Sequence, residues 1–185
     1  RKFEGFNTHQ VEGMLGFNGK MYLGTYTKAN FHEYDYTKPM KERLVHKGRI
    51  ETHQDRPFAL TGGESGKVYA GTIPDYGYLG GALAEYNPET GKLTSYENII
   101  ENQSIIGLAY KDGLVYGSTS VWGGLSATPT EKSAKIFIFD PEKGEVIKEF
   151  VPKIKGVSNP LWIGGLAFDK NGTLWAATGS TLFSL

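Results

Sequence analysis

The sequence predicts an all-β protein built from repeated antiparallel sheets. Gly is abundant, with 25 residues among 185, and Phe, Trp and Tyr together make up 13% of the chain. Glycine-containing turns between aromatic and β-branched runs are typical of folds with many short strands. No segment sustains the apolar periodicity of a helix, so we expect almost no helix.

One strand–turn–strand segment occurs four times. The copies read MLGFNGKMYLGT (14–25), ALTGGESGKVYAGT (59–72), GLAYKDGLVYGST (107–119) and GLAFDKNGTLWAAT (165–178). Their turns tolerate the positive φ of a two-residue hairpin, since they contain Asn18-Gly19, Ser65-Gly66, Asp112-Gly113 and Asn171-Gly172. The turn glycines are spaced by 47, 47 and 59 residues, so each copy predicts a hairpin within one structural repeat.

A second pair of strands follows each of the first three hairpins. A strand ends at Asp35, Asn87 or Asp140, whose side chain caps a turn, and an outer strand then begins. Four antiparallel strands per repeat predict a β-propeller of about four blades, the last incomplete. We place the blades at 10–50, 54–101, 103–152 and 158–185, and we interpret residues 1–8 as the outer-strand tail of a preceding or closing blade.

The chain starts and stops at nearly the same phase of the repeat, which leaves two interpretations. It is a slice of a larger propeller of about six to eight blades, or a four-bladed ring whose N-terminal strand completes the last blade. We favour the slice, because four blades are the lower limit of the architecture. The first residue is Arg1 rather than Met, so we expect further sequence upstream.

Propeller topology sorts the loops between two faces. The loops that lead into each first strand share one face with the loops between second and third strands, at 26–30, 74–81 and 122–133. Long loops on one side of a rigid scaffold commonly carry function. Candidate ligand-binding residues on this face are the polar side chains His9, Gln10, Gln54, Asp55, Gln103 and Asn159 and the aromatic side chains Tyr78, Trp122 and Trp162.

These candidates have structural alternatives. A histidine before a first strand, such as His9 or His53, can bond a threonine of a neighbouring strand and fix the blade; Thr25, Thr72 and Thr119 recur at suitable positions. Exposed aromatic rings can stack on the apolar face of a sugar or fill gaps between blades. His and Gln can also ligate a divalent metal, which is the one cofactor that the sequence leaves open, and we assign no residue as its ligand.

His53, Arg56 and Tyr76 form the candidate catalytic set. Arg can neutralise a uronate carboxylate while His or Tyr moves the proton, which is the minimum that β-elimination from a uronic-acid polymer requires. The sequence has no nucleophile elbow, Walker loop, dinucleotide fingerprint or His-Glu-x-x-His motif. Whether the protein is an enzyme therefore stays open at this point.

Composition excludes several classes of function. Lys and Arg number 20, as do Asp and Glu, so no net field attracts nucleic acid or an anionic membrane. No apolar stretch approaches the ~20 residues of a membrane span. The absence of cysteine excludes disulfides, thiol catalysis and Cys-based zinc sites, and it suits both the cytosol and the extracellular space.

The segment GLAFDKNGTLWAAT resembles the blade signature of gluconolactonase-like, NHL and virginiamycin-B-lyase-like propellers. In gluconolactonase-like enzymes an Asn before this segment binds the metal; Gly164 and Ile106 stand at that position here, which argues against that activity. QDRPFAL (54–60), PDYGYLGGAL (74–83) and NQSIIGLAYKDGLVYGSTS (102–120) are similar to propeller modules of large secreted bacterial proteins, some carrying carbohydrate-active domains. Propeller-type polysaccharide lyases use His, Tyr and Arg on the loop-rich face, and some hold a metal through His and Gln. The resemblance implies an extracellular location, with the cytoplasm left open.

Three functions follow, in order of preference. They are binding of a carbohydrate or another small polar ligand, lysis of uronic-acid polymers, and scaffolding of protein partners. We expect the remaining blades or domains of a larger chain as partners, and neither nucleic acid nor a membrane. An enzyme should bring His53, Arg56 and Tyr76 around one pocket, whereas a scaffold should present a broad patch without a deep pocket.

Overall fold

The computed structural model describes residues 8–185, which form four antiparallel sheets. The all-β prediction is confirmed, since the regular structure in this range consists of strands and a 3₁₀ turn at Met40–Glu42. The predicted tail at 1–8 falls almost wholly on residues 1–7, which lie outside the described residues. The blade boundaries stay a prediction.

The strands follow one another in chain order within each sheet. The first sheet contains β1 (Gln10–Phe17), β2 (Lys20–Tyr26), β3 (Asn30–Tyr34) and β4 (Leu44–Arg49). The second contains β5 (Gln54–Gly62), β6 (Val68–Pro74), β7 (Ala82–Asn87) and β8 (Lys92–Glu97). The third contains β9 (Ser104–Lys111), β10 (Leu114–Ser120), β11 (Ile136–Asp140) and β12 (Glu145–Phe150). The fourth has three strands, β13 (Gly164–Phe168), β14 (Leu174–Thr178) and β15 (Thr181–Ser184).

The hairpin turns are of two kinds, where the sequence predicts one. Asn18-Gly19 and Asp112-Gly113 have positive φ at both residues, as a two-residue turn requires. The second and fourth turns are longer. In the second, the backbone N–H of Gly66 donates to the Gly63 carbonyl at 2.9 Å. In the fourth, the Asp169 carboxylate accepts the backbone N–H groups of Asn171 and Thr173. The prediction of two-residue turns is therefore wrong for these two hairpins.

The turns after the third strands form as predicted. The carboxylate or amide oxygen of Asp35, Asn87 and Asp140 accepts the backbone N–H two residues later, at 2.9, 2.9 and 3.0 Å. The Thr37 hydroxyl is the main cause that lowers the pKa of Asp35, and the Lys143 side chain is the main cause for Asp140. These groups act within their turns.

Consecutive sheets pack face to face with their first strands adjacent, β1 beside β5, β5 beside β9 and β9 beside β13. A buried apolar layer fills each gap. Tyr22 and Tyr86 lie in the first layer, Tyr69 and Phe139 in the second, and Ile136 and Ile163 in the third. The first strands therefore bring the loops that precede them close together.

One aromatic side chain stands at the same position in the second strand of every sheet, but its exposure differs between sheets. Tyr22 and Tyr69 are each 1% exposed, and Tyr116 packs edge-on against Phe168 with ring centroids 4.9 Å apart. Trp175, at the equivalent position of the fourth sheet, is 37% exposed and belongs to none of the three buried layers of the described residues. No described sheet covers that face of the fourth sheet.

Candidate functional site

A cleft of about 480 Å³ lies at the ends of the first and second sheets. Four candidates from the sequence line it: His53, Asp55, Tyr76 and Tyr78. Its other lining residues were missed, namely Tyr26, Thr27, Lys28 and Asp75. All eight lie at the end of β2 or in the loop that follows it, in the loop after β6, or around the start of β5.

The aromatic wall of the cleft is a stacked pair. The rings of His53 and Tyr78 lie 4.0 Å apart between centroids, with 11° between their planes. His53 has φ +54°, and its carbonyl accepts the backbone N–H of Asp75 at 2.8 Å. A positive φ is uncommon for a residue with a side chain, so this hydrogen bond supports the conformation that presents the ring.

Polar contacts join the two loops across the cleft. The Lys28 ammonium donates to both carboxylate oxygens of Asp75, at 3.0 and 2.9 Å. The hydroxyl groups of Tyr26 and Tyr76 lie 3.3 Å apart, and this hydrogen bond is the main cause that raises the pKa of Tyr26. Lys28 and Asp75 are 47 residues apart, one repeat length, so opposite charges at equivalent positions of consecutive repeats are the pattern that predicts this pair.

Asp55 fixes the loop between β2 and β3 through two hydrogen bonds. Its side chain is buried, its Oδ1 accepts the backbone N–H of Lys28 at 2.8 Å, and its carbonyl accepts that of Ala29 at 2.9 Å. The carboxylate therefore lines the cleft and also fixes the backbone that carries Lys28.

Arg56 lies beside this cleft rather than in it. Its guanidinium donates to Glu12 at 3.1 Å and its Cζ lies 4.3 Å from the centroid of the Tyr26 ring. It lines a neighbouring cleft together with Tyr76. Of the candidate catalytic set, His53 and Tyr76 thus share one cleft while the Arg56 charge is paired next to it.

Two glutamines, rather than the histidines, bond two of the recurring threonines. Gln54 is 3% exposed, its amide oxygen accepts the Thr72 hydroxyl, and its amide nitrogen donates to the Gly80 carbonyl at 3.2 Å. Gln103 is fully buried and bonds Thr119 in the same way. Because both ends of these amides bond the chain itself, we leave them out of the proposed site.

The remaining candidates lie elsewhere. His9 and Gln10 are exposed at the start of β1, and the Gln10 amide donates to Glu12 at 2.8 Å. Asn159 accepts the Ser133 hydroxyl at 3.2 Å. Trp122, in the loop between β10 and β11, and Trp162, just before β13, are 53% and 40% exposed and line neither cleft.

Within residues 8–185, no group of three or more His, Cys, Asp or Glu side chains is arranged to hold a metal ion. In the same range, no helix has the length and apolarity needed to cross a membrane.

The comparisons with known proteins concern the fold. No protein-family model matches the sequence, and no curated protein matches it. Many solved structures have a similar fold, and three of them illustrate it. A luciferin-regenerating enzyme matches with a TM-score of 0.63 and 14% identity, over 96% of this chain and 58% of that one. The extracellular domain of a B. thetaiotaomicron protein assigned as a one-component system has a TM-score of 0.63 and 19% identity, over 100% and 22%. The protein U3-55K has a TM-score of 0.61 and 8% identity, over 98% and 53%.

The chain therefore spans less than two thirds of each of these proteins. At these identities the similarity defines an all-β fold of antiparallel sheets and leaves the activity to be argued from the site.

Proposed function

We propose that the chain is part of a β-propeller whose loop-bearing face binds carbohydrate through the cleft between the first two sheets. The adjacent first strands and the buried layers between sheets support the radial arrangement. The chain's partial coverage of its structural neighbours agrees with further blades in a longer protein. An extracellular location is part of the proposal, in keeping with the extracellular neighbour.

The observation that carries the proposal is the aromatic wall formed by His53 and Tyr78, together with the Tyr76 ring that lines the same cleft. Tyr76 and Tyr78 are 51% and 44% exposed in a cleft whose volume is typical of small-molecule sites, roughly 300–1,000 Å³. Aromatic faces pack against the C–H face of a sugar ring, and polar groups at the rim bond its hydroxyls. Lys28 and Asp75 supply such groups at fixed positions.

Isothermal titration of the protein with a panel of soluble oligosaccharides tests this function. Tyr78→Ala should weaken the best ligand by about tenfold or more, since the loss of one stacked ring is worth about 1.4 kcal/mol. Trp162→Ala is the matched control, because it removes an exposed aromatic ring that does not line the cleft. Absence of binding by any saccharide, or equal losses in both variants, would refute the proposal.

A polysaccharide lyase is the second candidate, because His53 and Tyr76 line one cleft. We place it second because Glu12 already pairs with the arginine that would neutralise the uronate. Incubation with uronic-acid polymers and detection of the unsaturated product by absorbance tests it, with His53→Ala as the control. Product formed by the wild-type chain and lost in His53→Ala would move the lyase to first place.

A further inference from the structure

A second cleft of about 250 Å³ adjoins the first. Arg56, Ile73, Pro74 and Leu125 are among its lining residues, and Tyr76 lines both clefts. Tyr76 therefore stands as a partition between them. The second cleft alone is smaller than typical ligand sites, which begin at roughly 300 Å³, so it is better suited to part of a ligand than to a whole one.

A loop from the third sheet fixes the position of the second cleft. Gly124 donates its backbone N–H to the Tyr78 carbonyl at 3.0 Å, and Gly77 donates to the Leu125 carbonyl at 2.8 Å. A Cβ atom at Gly124 would overlap the backbone oxygen of Asp75, so the two loops approach this closely only with glycine there. The far wall of the second cleft is thus tied to the loop that carries the aromatic wall of the first.

Both cations beside the two clefts are paired with carboxylates of the chain itself. Lys28 is paired with Asp75 at 2.9 Å, and Arg56 is paired with Glu12 at 3.1 Å. The buried carboxylate of Asp55 adds a further negative charge to the wall of the first cleft. Each cation is thus already neutralised by a carboxylate of the chain, and Asp55 leaves an excess negative charge that disfavours an anionic sugar, whereas a neutral sugar meets no such repulsion.

We infer that the two clefts form one extended site for a neutral oligosaccharide, with one sugar ring on each side of Tyr76. This inference rests on the proposed carbohydrate binding and adds the length and the charge of the ligand. The first ring packs on the pair His53–Tyr78. The second ring lies between Tyr76 and the exposed side chain of Leu125, and the guanidinium of Arg56 donates to its hydroxyls.

The test compares neutral sugars of increasing length. Mono-, di- and tetrasaccharides of neutral hexoses and pentoses are titrated calorimetrically alongside uronate oligomers of matched length. The extended site should bind its best neutral disaccharide about tenfold more tightly than the monosaccharide, since a second ring adds a contact of about 1.4 kcal/mol. Uronate oligomers should bind more weakly than neutral ones.

Leu125→Ser isolates the second cleft. Leu125 is 62% exposed, so the substitution leaves the fold intact, and Leu182→Ser is the control at another exposed leucine (67%) of the fourth sheet. Leu125→Ser should lower disaccharide affinity about fivefold and leave monosaccharide affinity unchanged, while Leu182→Ser changes neither. A fivefold change in Kd corresponds to about 1 kcal/mol of binding free energy, which titration calorimetry resolves.

The possible failures are distinguishable. Equal affinity for mono- and disaccharides, or no effect of Leu125→Ser, would overturn the extended site while a loss of binding in Tyr78→Ala would still support the proposed function. Tighter binding of uronate oligomers would overturn the neutral ligand. Absence of binding by every sugar would overturn the proposed function and this inference together.

Discussion

Gln103→Ala is predicted to destabilise the fold strongly, because this side chain joins three segments of the third sheet. It is fully buried, its amide nitrogen donates to the Ser133 carbonyl at 3.1 Å, and its amide oxygen accepts the Thr119 hydroxyl. The same Thr119 oxygen accepts the backbone N–H of Lys135 at 2.7 Å. The glutamine therefore fixes the start of β9 against β10 and β11.

The magnitude follows from the groups that would lose their partner. Truncation removes the glutamine amide from the Thr119 hydroxyl, which keeps only its bond to the Lys135 carbonyl at 3.1 Å, and from the part-buried Ser133 carbonyl. Each such loss costs about 1–3 kcal/mol. We expect the free energy of unfolding to fall by about 3 kcal/mol. For a chain of this length, such a change lowers Tm by roughly 6–12 °C.

Urea unfolding followed by circular dichroism measures this change. Gln10→Ala is the control, since Gln10 is exposed and its substitution should change the unfolding free energy by less than about 0.5 kcal/mol. Combined with Thr119→Val in a double-mutant cycle, Gln103→Ala should show coupling above about 0.5 kcal/mol. A loss below about 1 kcal/mol, or additive effects, would show that the pair does not fix the strands.

Three further predictions concern other parts of the chain. Burial raises the pKa of Tyr22 to about 12, above the value of about 10 in an unfolded chain. The free energy that its neutral hydroxyl contributes to stability is therefore complete below about pH 10 and is lost as pH rises through about 12. The urea midpoint should fall less steeply over this pH range in Tyr22→Phe than in the wild type. Gly124→Ala should lower stability by about 2 kcal/mol and weaken ligand binding, because its Cβ would overlap Asp75, whereas Gly16→Ala, which meets no neighbouring atom, should do neither; urea unfolding and calorimetry compare the two. The 185-residue chain should self-associate at high concentration through the exposed apolar face of the fourth sheet, and Leu182→Glu should return it to monomer in sedimentation velocity; a concentration-independent monomer in the wild type would contradict this.

The strand pattern was predictable because its causes are local. Asn18-Gly19 specifies a tight turn by its own φ preference, and Asp35 caps its turn through an N–H two residues away. Both features depend on a few consecutive residues. The all-β fold and the face that carries the loops follow from counting such features along the chain.

The site was only partly predictable, because its contacts depend on distant residues. Gln54 and Gln103 stand in polar stretches of the sequence, yet each is buried and accepts a hydrogen bond from a threonine 18 or 16 residues further along. Trp122 lies in a glycine-rich loop like Tyr76, but only the packing of loops decides which ring faces a cleft. The pairing of Lys28 with Asp75 was within reach of the sequence, because the repeat length separates them.

The repeat explains how a site can arise on a scaffold of similar sheets. Equivalent loops bring Lys28 and Asp75 to adjacent sheets, and because these two positions carry opposite charges, they bond across the cleft rather than repel. The cleft therefore exists only while the first and second sheets stay in contact, and its neighbour needs contact between the second and third. Local separation of the first sheet from the second should abolish ligand binding while the apolar layer between the second and third sheets, around Tyr69 and Phe139, is still intact. Ligand binding should in turn slow amide exchange at Lys28 and Ala29 more than at β11, because the ligand stabilises the first of these interfaces directly.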